Sequence, residues 1–291
     1  MAAGGLVHAQ SGAGLIRPLD QIRQYHRLRE DGYVKKAERR FREDGYVKKA
    51  EPHRGPKPDS AYHARTLVIT WDRVPGARWA LQIPEGFGVH ATKTVFRIDS
   101  WTWQNHGDDH CTLVNRTDDP PGELRCDYRV GPDRLDITMT YTLDSDEVRE
   151  DVMCQACFNH LWADGFGRDA YAMFGGKLKA LRDDDPEDEK GWRRFISLEG
   201  REDYGQYIRP KHRGAEGRFI ATTRRGDDPL TIGFASPNAL AIAWSFWPCT
   251  DMDFSLGPVG SSAPGTAAAT IYFLPGELET NLNRIKVQDE N

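Results

Sequence analysis

The sequence predicts an all-β fold, a large antiparallel β-sandwich or barrel preceded by a short helical N-terminal arm. Three observations predict it. After residue 58 the apolar residues recur in short runs rich in Val, Ile, Thr, Phe and Trp. Turn-forming clusters separate these runs at fairly even spacing. No long stretch carries a helical repeat, so a parallel sheet with crossover helices is disfavoured.

The arm, residues 1–58, is read first. Residues 27–39 (RLREDGYVKKAER) and 40–52 (RFREDGYVKKAEP) agree at 11 of 13 positions. Two short units are too few for a solenoid. A 13-residue step turns a helix by about 220°, so the copies present their apolar residues on different faces. Gly32 and Gly45 weaken a helix further. The arm is therefore expected to be partly helical or disordered, and peripheral. The alternative role is a homo-oligomer contact through Tyr33, Phe41 and Tyr46. Pro52 to Pro58 (PHRGPKP) reads as a linker into a single β-sandwich domain, residues 59–291.

The strand runs follow in order. Residues 66–71 (TLVITW), 93–105 (KTVFRIDSWTWQN), 111–115, 134–143 (RLDITMTYTL) and 151–161 carry β-branched or alternating residues. So do 194–198, 218–223, 230–234, 239–247 and 267–274. Turns are marked by Thr117 to Gly122 (TDDPPG), Gly131-Pro132, Gly175-Gly176, Gly226 to Pro229 and Ser236 to Asn238. Near the end, Leu278, Leu282 and Ile285 fall on one face of a short helix.

Composition narrows the class. The chain carries 39 Lys and Arg against 44 Asp and Glu, with 38% hydrophobic residues, and no stretch approaches the roughly 20 apolar residues of a bilayer span. Residues 1–58 hold 13 basic against 7 acidic side chains. Acids interrupt that basic run every few positions and no nucleic-acid motif accompanies it, so neither nucleic acid nor membrane is an expected partner. The five cysteines are odd in number and irregular in spacing, which predicts free thiols and a cytoplasmic protein. An exported or periplasmic location is the alternative, suggested by the signal-like residues 7–10 (VHAQ). There is no GxSxG elbow, P-loop or GxGxxG after a strand.

Three clusters have the residue types that chemistry needs. The densest is Trp101-Thr-Trp103-Gln-Asn105-His106-Gly-Asp-Asp109-His110-Cys111. Trp rings suit the apolar face of a pyranose, and imidazoles at a strand end suit proton transfer. The bland reading is core tryptophans and an exposed polar turn. The second is Cys154-Gln-Ala-Cys157-Phe-Asn-His160-Leu-Trp162. In a strand, Cys154 and Cys157 have opposite parity, so a shared metal or disulfide is not expected and both read as small buried residues. His160, Trp162 and Asp164 share a parity that would let them join the first cluster. The third is Tyr204 to Arg213 (YGQYIRPKHR), where Arg209 and His212 suit an anionic group such as a uronate. A solvated loop is the plainer reading. Trp244, Phe246 and Trp247 read as core, and Asp251 and Asp253 as a loop cap or part of a mouth.

The order of segments resembles bacterial β-sandwich proteins of the broad galactose-mutarotase-like (supersandwich) group. The residues that carry the resemblance are Cys111 to Asp118 (CTLVNRTD), Asp151 to Trp162 (DVMCQACFNHLW) and Ile271 to Leu278 (IYFLPGEL), within residues 66–285. The resemblance implies a carbohydrate ligand on a concave sheet face served by His and carboxylate side chains. No family catalytic pair maps onto this chain residue by residue.

Together these readings predict a carbohydrate-active enzyme acting by proton transfer, as an isomerase, lyase or hydrolase, on a sugar or uronic-acid glycan. His106, His110 and His160 are the expected acid–base pool and Asp109 the orienter. Trp101, Trp103 and Trp162 are the expected platform, with Arg209 and His212 on an anionic group. No cofactor is expected and no metal is assigned. The alternatives are a non-catalytic glycan-binding or assembly module, a metal-dependent cupin-like enzyme using the three histidines, and a barrel around an apolar small molecule.

Overall fold

The computed structural model describes residues 15–18, 65–71, 73–75, 77–89, 94–96, 98–107, 109–163, 165–166, 170–181, 193–200, 212–245 and 249–285. In chain order its strands are β1 (Leu15–Pro18), β2 (Thr66–Thr70), β3 (Arg78–Val89), β4 (Thr94–Val95), β5 (Ile98–Asn105), β6 (His110–Asp118), β7 (Pro121–Val130), β8 (Arg134–Leu143), β9 (Arg149–Trp162), β10 (Ala170–Phe174), β11 (Lys177–Ala180), β12 (Arg193–Leu198), β13 (His212–Arg224), β14 (Leu230–Ala235), β15 (Ala239–Ser245), β16 (Cys249–Val259) and β17 (Gly265–Pro275). A helix, α1 (Leu278–Ile285), follows the last strand.

The strands form two sheets. The first runs β1-β2-β3-β9-β16-β15-β12, with β4 beside the end of β3. The second runs β5-β6-β7-β8-β17-β14-β13-β10-β11. All these pairings are antiparallel. A parallel contact between β12 and β13 bridges the two sheets. Among the described residues no pairing joins the edge strand β1 to β5 or β11, so this is a sandwich and not a closed barrel.

Alternation builds the core. On β9 the even residues Val152, Cys154, Ala156 and Phe158 are buried between the sheets, and on β7 so are Leu124, Cys126 and Tyr128. Trp79 of β3 meets the rings of Phe166 and Phe273 edge-on at 5.5 and 5.4 Å. Phe158 reaches across to Phe234 at 6.2 Å, and Phe234 to Phe254 at 6.0 Å. Each such aromatic removes a large apolar surface from water, worth roughly 2–3 kcal/mol. This inter-sheet layer fixes which face of every strand points outward.

One feature differs from the sequence reading. Residues 15–18 fall within the arm expected to be helical or disordered, yet they pair antiparallel with β2 as an edge strand. The duplicated segment, 27–52, lies outside the described residues, as does the linker. Among the described residues no helix is long and apolar enough to cross a membrane.

Candidate functional site

The β5–β6 hairpin turns at Gly107, which adopts a φ of 151° open to glycine, and closes with the His106 amide donating to the His110 carbonyl at 3.0 Å. This closure makes His106 and His110 cross-strand neighbours, and their ring centroids lie 4.4 Å apart. Register then places Thr112 opposite Asp127 on β7. All four side chains share the outer face of the second sheet, away from the core.

A hydrogen-bond network joins them. Thr112 Oγ1 donates to Asp127 Oδ1 at 2.5 Å. Arg125 donates from Nε to Asp127 Oδ2 at 3.0 Å and from Nη2 to Thr112 Oγ1 at 3.3 Å. His110 Nε2 lies 3.3 Å from Asp127 Oδ1, and His106 Nε2 lies 2.9 Å from Thr112 Oγ1. The single hydroxyl proton of Thr112 goes to Asp127, so His106 is the donor to Thr112 through Nε2–H. Partial burial pushes the Asp127 carboxyl up, but hydrogen bonds from Thr112, Arg125 and His110 outweigh it. The net result lies below the usual carboxylate range.

Among the described residues the expected constellation does not assemble around these rings. His160 is even-numbered on β9 and faces the inter-sheet core at 1% exposure, on the far side of the second sheet from His106 and His110. Burial pushes its imidazole down to about 3, so the ring stays neutral. Trp101 and Trp103 pair with Asn115 and Leu113 on the inward face of β5 and pack against the core. They therefore point away from His106, whose parity is opposite. The carboxylate beside His110 belongs to Asp127, not to exposed Asp109. Trp162 lies at the end of β9 and His212 at the start of β13, without described side chains. Arg209 and Asp164 fall outside the described residues.

A second polar array occupies the outer face of the first sheet. Three registered rows cross it. Gln82, Cys157, Asp251 and Ala243 form one row. Gly86, Gln155, Asp253 and Ala241 form the next, and Ala80, Asn159 and Cys249 the third. A register shift between Gln82 and Gly86 inserts Ile83, Pro84 and Glu85 beside these rows. Asp251 is 0% exposed and Asp253 3%, although neither belongs to the hydrophobic core. Arg65, also buried, donates to the Pro84 carbonyl at 3.3 Å at the same bulge.

Charge is felt across this face. The Cys157 thiol is pushed well above the usual range, first by its hydrogen bond with Cys249, then by burial and by the Asp251 and Glu85 carboxylates. Burial does the same to Cys154 on the opposite face, with further contributions from Cys126 and Asp253, while the Arg65 cation opposes them. Cys154 and Cys157 do point to opposite sides, as their parity predicts. Two groups among the described residues have donor atoms within 4.8 Å of one another and a metal-ligating composition. They are Cys157, Cys249 and Asp251, and His106, His110 and Asp127.

The sequence reading missed Asp127 and Gln82, and read Asp251 and Asp253 as a loop cap or part of a mouth, because it missed their strands. In β7 the signal was present. Leu124, Cys126, Tyr128 and Val130 alternate strictly with Glu123, Arg125, Asp127 and Arg129. In β16 the inward Met252, Phe254 and Leu256 alternate with Asp251, Asp253 and Ser255, a strand pattern whose aspartates read as loop residues.

No family model and no curated protein matches the chain. Solved structures do. A galactose mutarotase related enzyme from Lactobacillus acidophilus is 11% identical with a TM-score of 0.45, covering 72% of this chain and 95% of that one. A galactose mutarotase-like protein from Lactobacillus casei is 11% identical with a TM-score of 0.42, covering 74% and 95%. An α-galactosidase from Geobacillus stearothermophilus is 8% identical with a TM-score of 0.46, covering 95% of this chain and 41% of its own. At these values the chemistry has to be read from the side chains themselves.

Proposed function

We propose that the protein binds and acts on a sugar at the outer face of the first sheet. Asp251 and Asp253 would serve as the acid–base pair, and Gln82, Gln155 and Asn159 as hydroxyl partners. The observation that carries this reading is the pair of carboxylates, buried at i and i+2 on one strand face and flanked by amides in register. Successive outward positions on a strand lie about 6.7 Å apart, a spacing within the span of one sugar ring and its substituents. Carboxylates accept from neighbouring hydroxyls, and amides both donate and accept, which together match a polyol. Held out of water, such hydrogen bonds are strong when satisfied.

A pair of neighbouring carboxylates can divide the work, one protonating the substrate while the other abstracts a proton. Isomerisation, elimination and hydrolysis all need that division of labour. The imidazoles assigned this role from sequence are replaced here by aspartates, because His160 faces the core and the other two rings face the opposite outer surface.

The test is a panel of neutral and uronic sugars, screened for binding by ligand-observed NMR and for turnover. We expect at least one sugar to bind and react. Asp251→Asn and Asp253→Asn should each lower turnover by about a hundredfold or more, with the unfolding transition kept cooperative. Binding without turnover would leave a glycan-binding module. The proposal fails if no sugar binds, or if both variants retain full activity.

A further inference from the structure

The geometry points to a second, independent site: His106, His110 and Asp127 form a binding site for a divalent transition-metal ion of the zinc class on the outer face of the second sheet. Nothing in this inference depends on the sugar reading, since the two faces lie on opposite sides of the molecule's core.

The ligand set is two imidazoles and one carboxylate, a composition that suits zinc or cobalt better than calcium or magnesium. Their donor atoms lie within 4.8 Å of one another. Tetrahedral coordination at zinc–nitrogen and zinc–oxygen distances of about 2.0–2.2 Å puts neighbouring donors about 3.3 Å apart. His110 Nε2 and Asp127 Oδ1 are already at 3.3 Å. His106 approaches through its cross-strand contact with His110, and needs only to exchange Thr112 for the metal.

Backbone order favours preorganisation. His110 lies on β6 and Asp127 on β7, whose register is unbroken from the pair His110 and Arg129 to the pair Asp118 and Pro121, and the last β5 residue, Asn105, pairs with Cys111. His106 itself follows directly on β5. Arg125 clamps Asp127, donating from Nε to Oδ2 at 3.0 Å and from Nη2 to Oδ1 at 3.5 Å. Oδ1, which also accepts from Thr112, faces His110, so metal capture turns the Thr112 hydroxyl away from it. Its guanidinium also repels a cation, so the site is expected to bind more weakly than an all-histidine one. Metal capture requires a lone pair on each Nε2. A neutral imidazole supplies it by carrying its proton on Nδ1 instead, with no net proton lost. The outward-facing side of the cluster leaves a coordination position for water or an exogenous ligand.

The experiment uses the untagged full chain titrated with Co²⁺ alone and, separately, with Zn²⁺ in competition. We expect one Co²⁺ per chain, with the visible absorption of a low-coordinate nitrogen and oxygen site, displaced by Zn²⁺. His106→Ala and His110→Ala should each weaken Co²⁺ binding by about tenfold or more, and Asp127→Asn should do likewise. The exposed position of His106 makes its variant the safest for folding, and an unchanged metal-free unfolding midpoint would confirm that. A thiolate charge-transfer band that persists in the His106→Ala/His110→Ala double variant would move the metal to Cys157 and Cys249 and overturn the inference. So would the absence of stoichiometric binding.

Discussion

His160 and Thr250 meet inside the core, with His160 Nε2 at 3.0 Å from Thr250 Oγ1 and the ring set edge-on to Phe158 at 4.7 Å. The other ring nitrogen, Nδ1, is buried with no hydrogen-bond partner among the described residues. An unpaired acceptor nitrogen costs less than an unpaired N–H, so Nε2–H donates to Thr250 and Nδ1 is bare. Protonating the ring would place a charge in an apolar layer.

Stability should therefore depend on this residue's titration. Its folded value is about 3 against an ordinary 6.5. Between these values the unfolded chain binds the proton and the native chain does not, so stability rises with pH. The contribution is complete above pH 6.5 and is lost progressively as pH falls toward 3. At pH 4.5 the loss amounts to about 3 kcal/mol. Urea unfolding at pH 7.5 and 4.5 should show a smaller pH difference for His160→Gln, which keeps a donor for Thr250 but does not titrate. Equal pH dependence in both proteins would mean that the ring is not held neutral by the fold.

The thiols give a second outcome. Burial pushes Cys111 and Cys126 up to about 12, and Cys154 and Cys157 are raised as well. The thiolate is the reactive species, so these side chains should resist a chromogenic disulfide reagent at pH 8 in the native state. Unfolding should release them to rapid labelling. Fast native labelling traced by peptide mapping to Cys126 or Cys154, both 0% exposed, would contradict the packing described for the inter-sheet layer.

The sandwich was legible in the sequence because its evidence is local: alternation and turns are properties of ten residues at a time. The helix at Leu278–Ile285 was legible for the same reason, and Leu278 and Ile285 are buried as its periodicity implies. The site was not. Asp127 meets His110 only because β7 pairs with β6 in one register, and a slip of one residue would turn Asp127 into the core. The tryptophans misled because Trp101 and His106 are five residues apart, an odd step that puts them on opposite sides of a strand. Asp251 read as a loop cap or part of a mouth because charged residues are rarely fully buried, and its burial comes from pairing between strands nearly 100 residues apart, β9 and β16.

The packing of α1 on the second sheet supplies the last prediction. Gly233 of β14 lies under Ile285, and a Cβ added there would sit 2.6 Å from Ile285 Cγ2 and 2.7 Å from Cγ1. The helix completes a small second core with Phe219, Leu274 and Leu278. Gly233→Ala should thus lift the helix or force Ile285 off its rotamer, at a cost of about 1–3 kcal/mol. Ile285→Ala leaves a cavity instead and should cost about 2–5 kcal/mol. Combined, the new methyl fills part of the space the isoleucine vacates. The double variant should be more stable than the sum of the two single losses allows, by about 1 kcal/mol or more. Strict additivity in urea unfolding would show that the helix does not rest on β14 at this glycine.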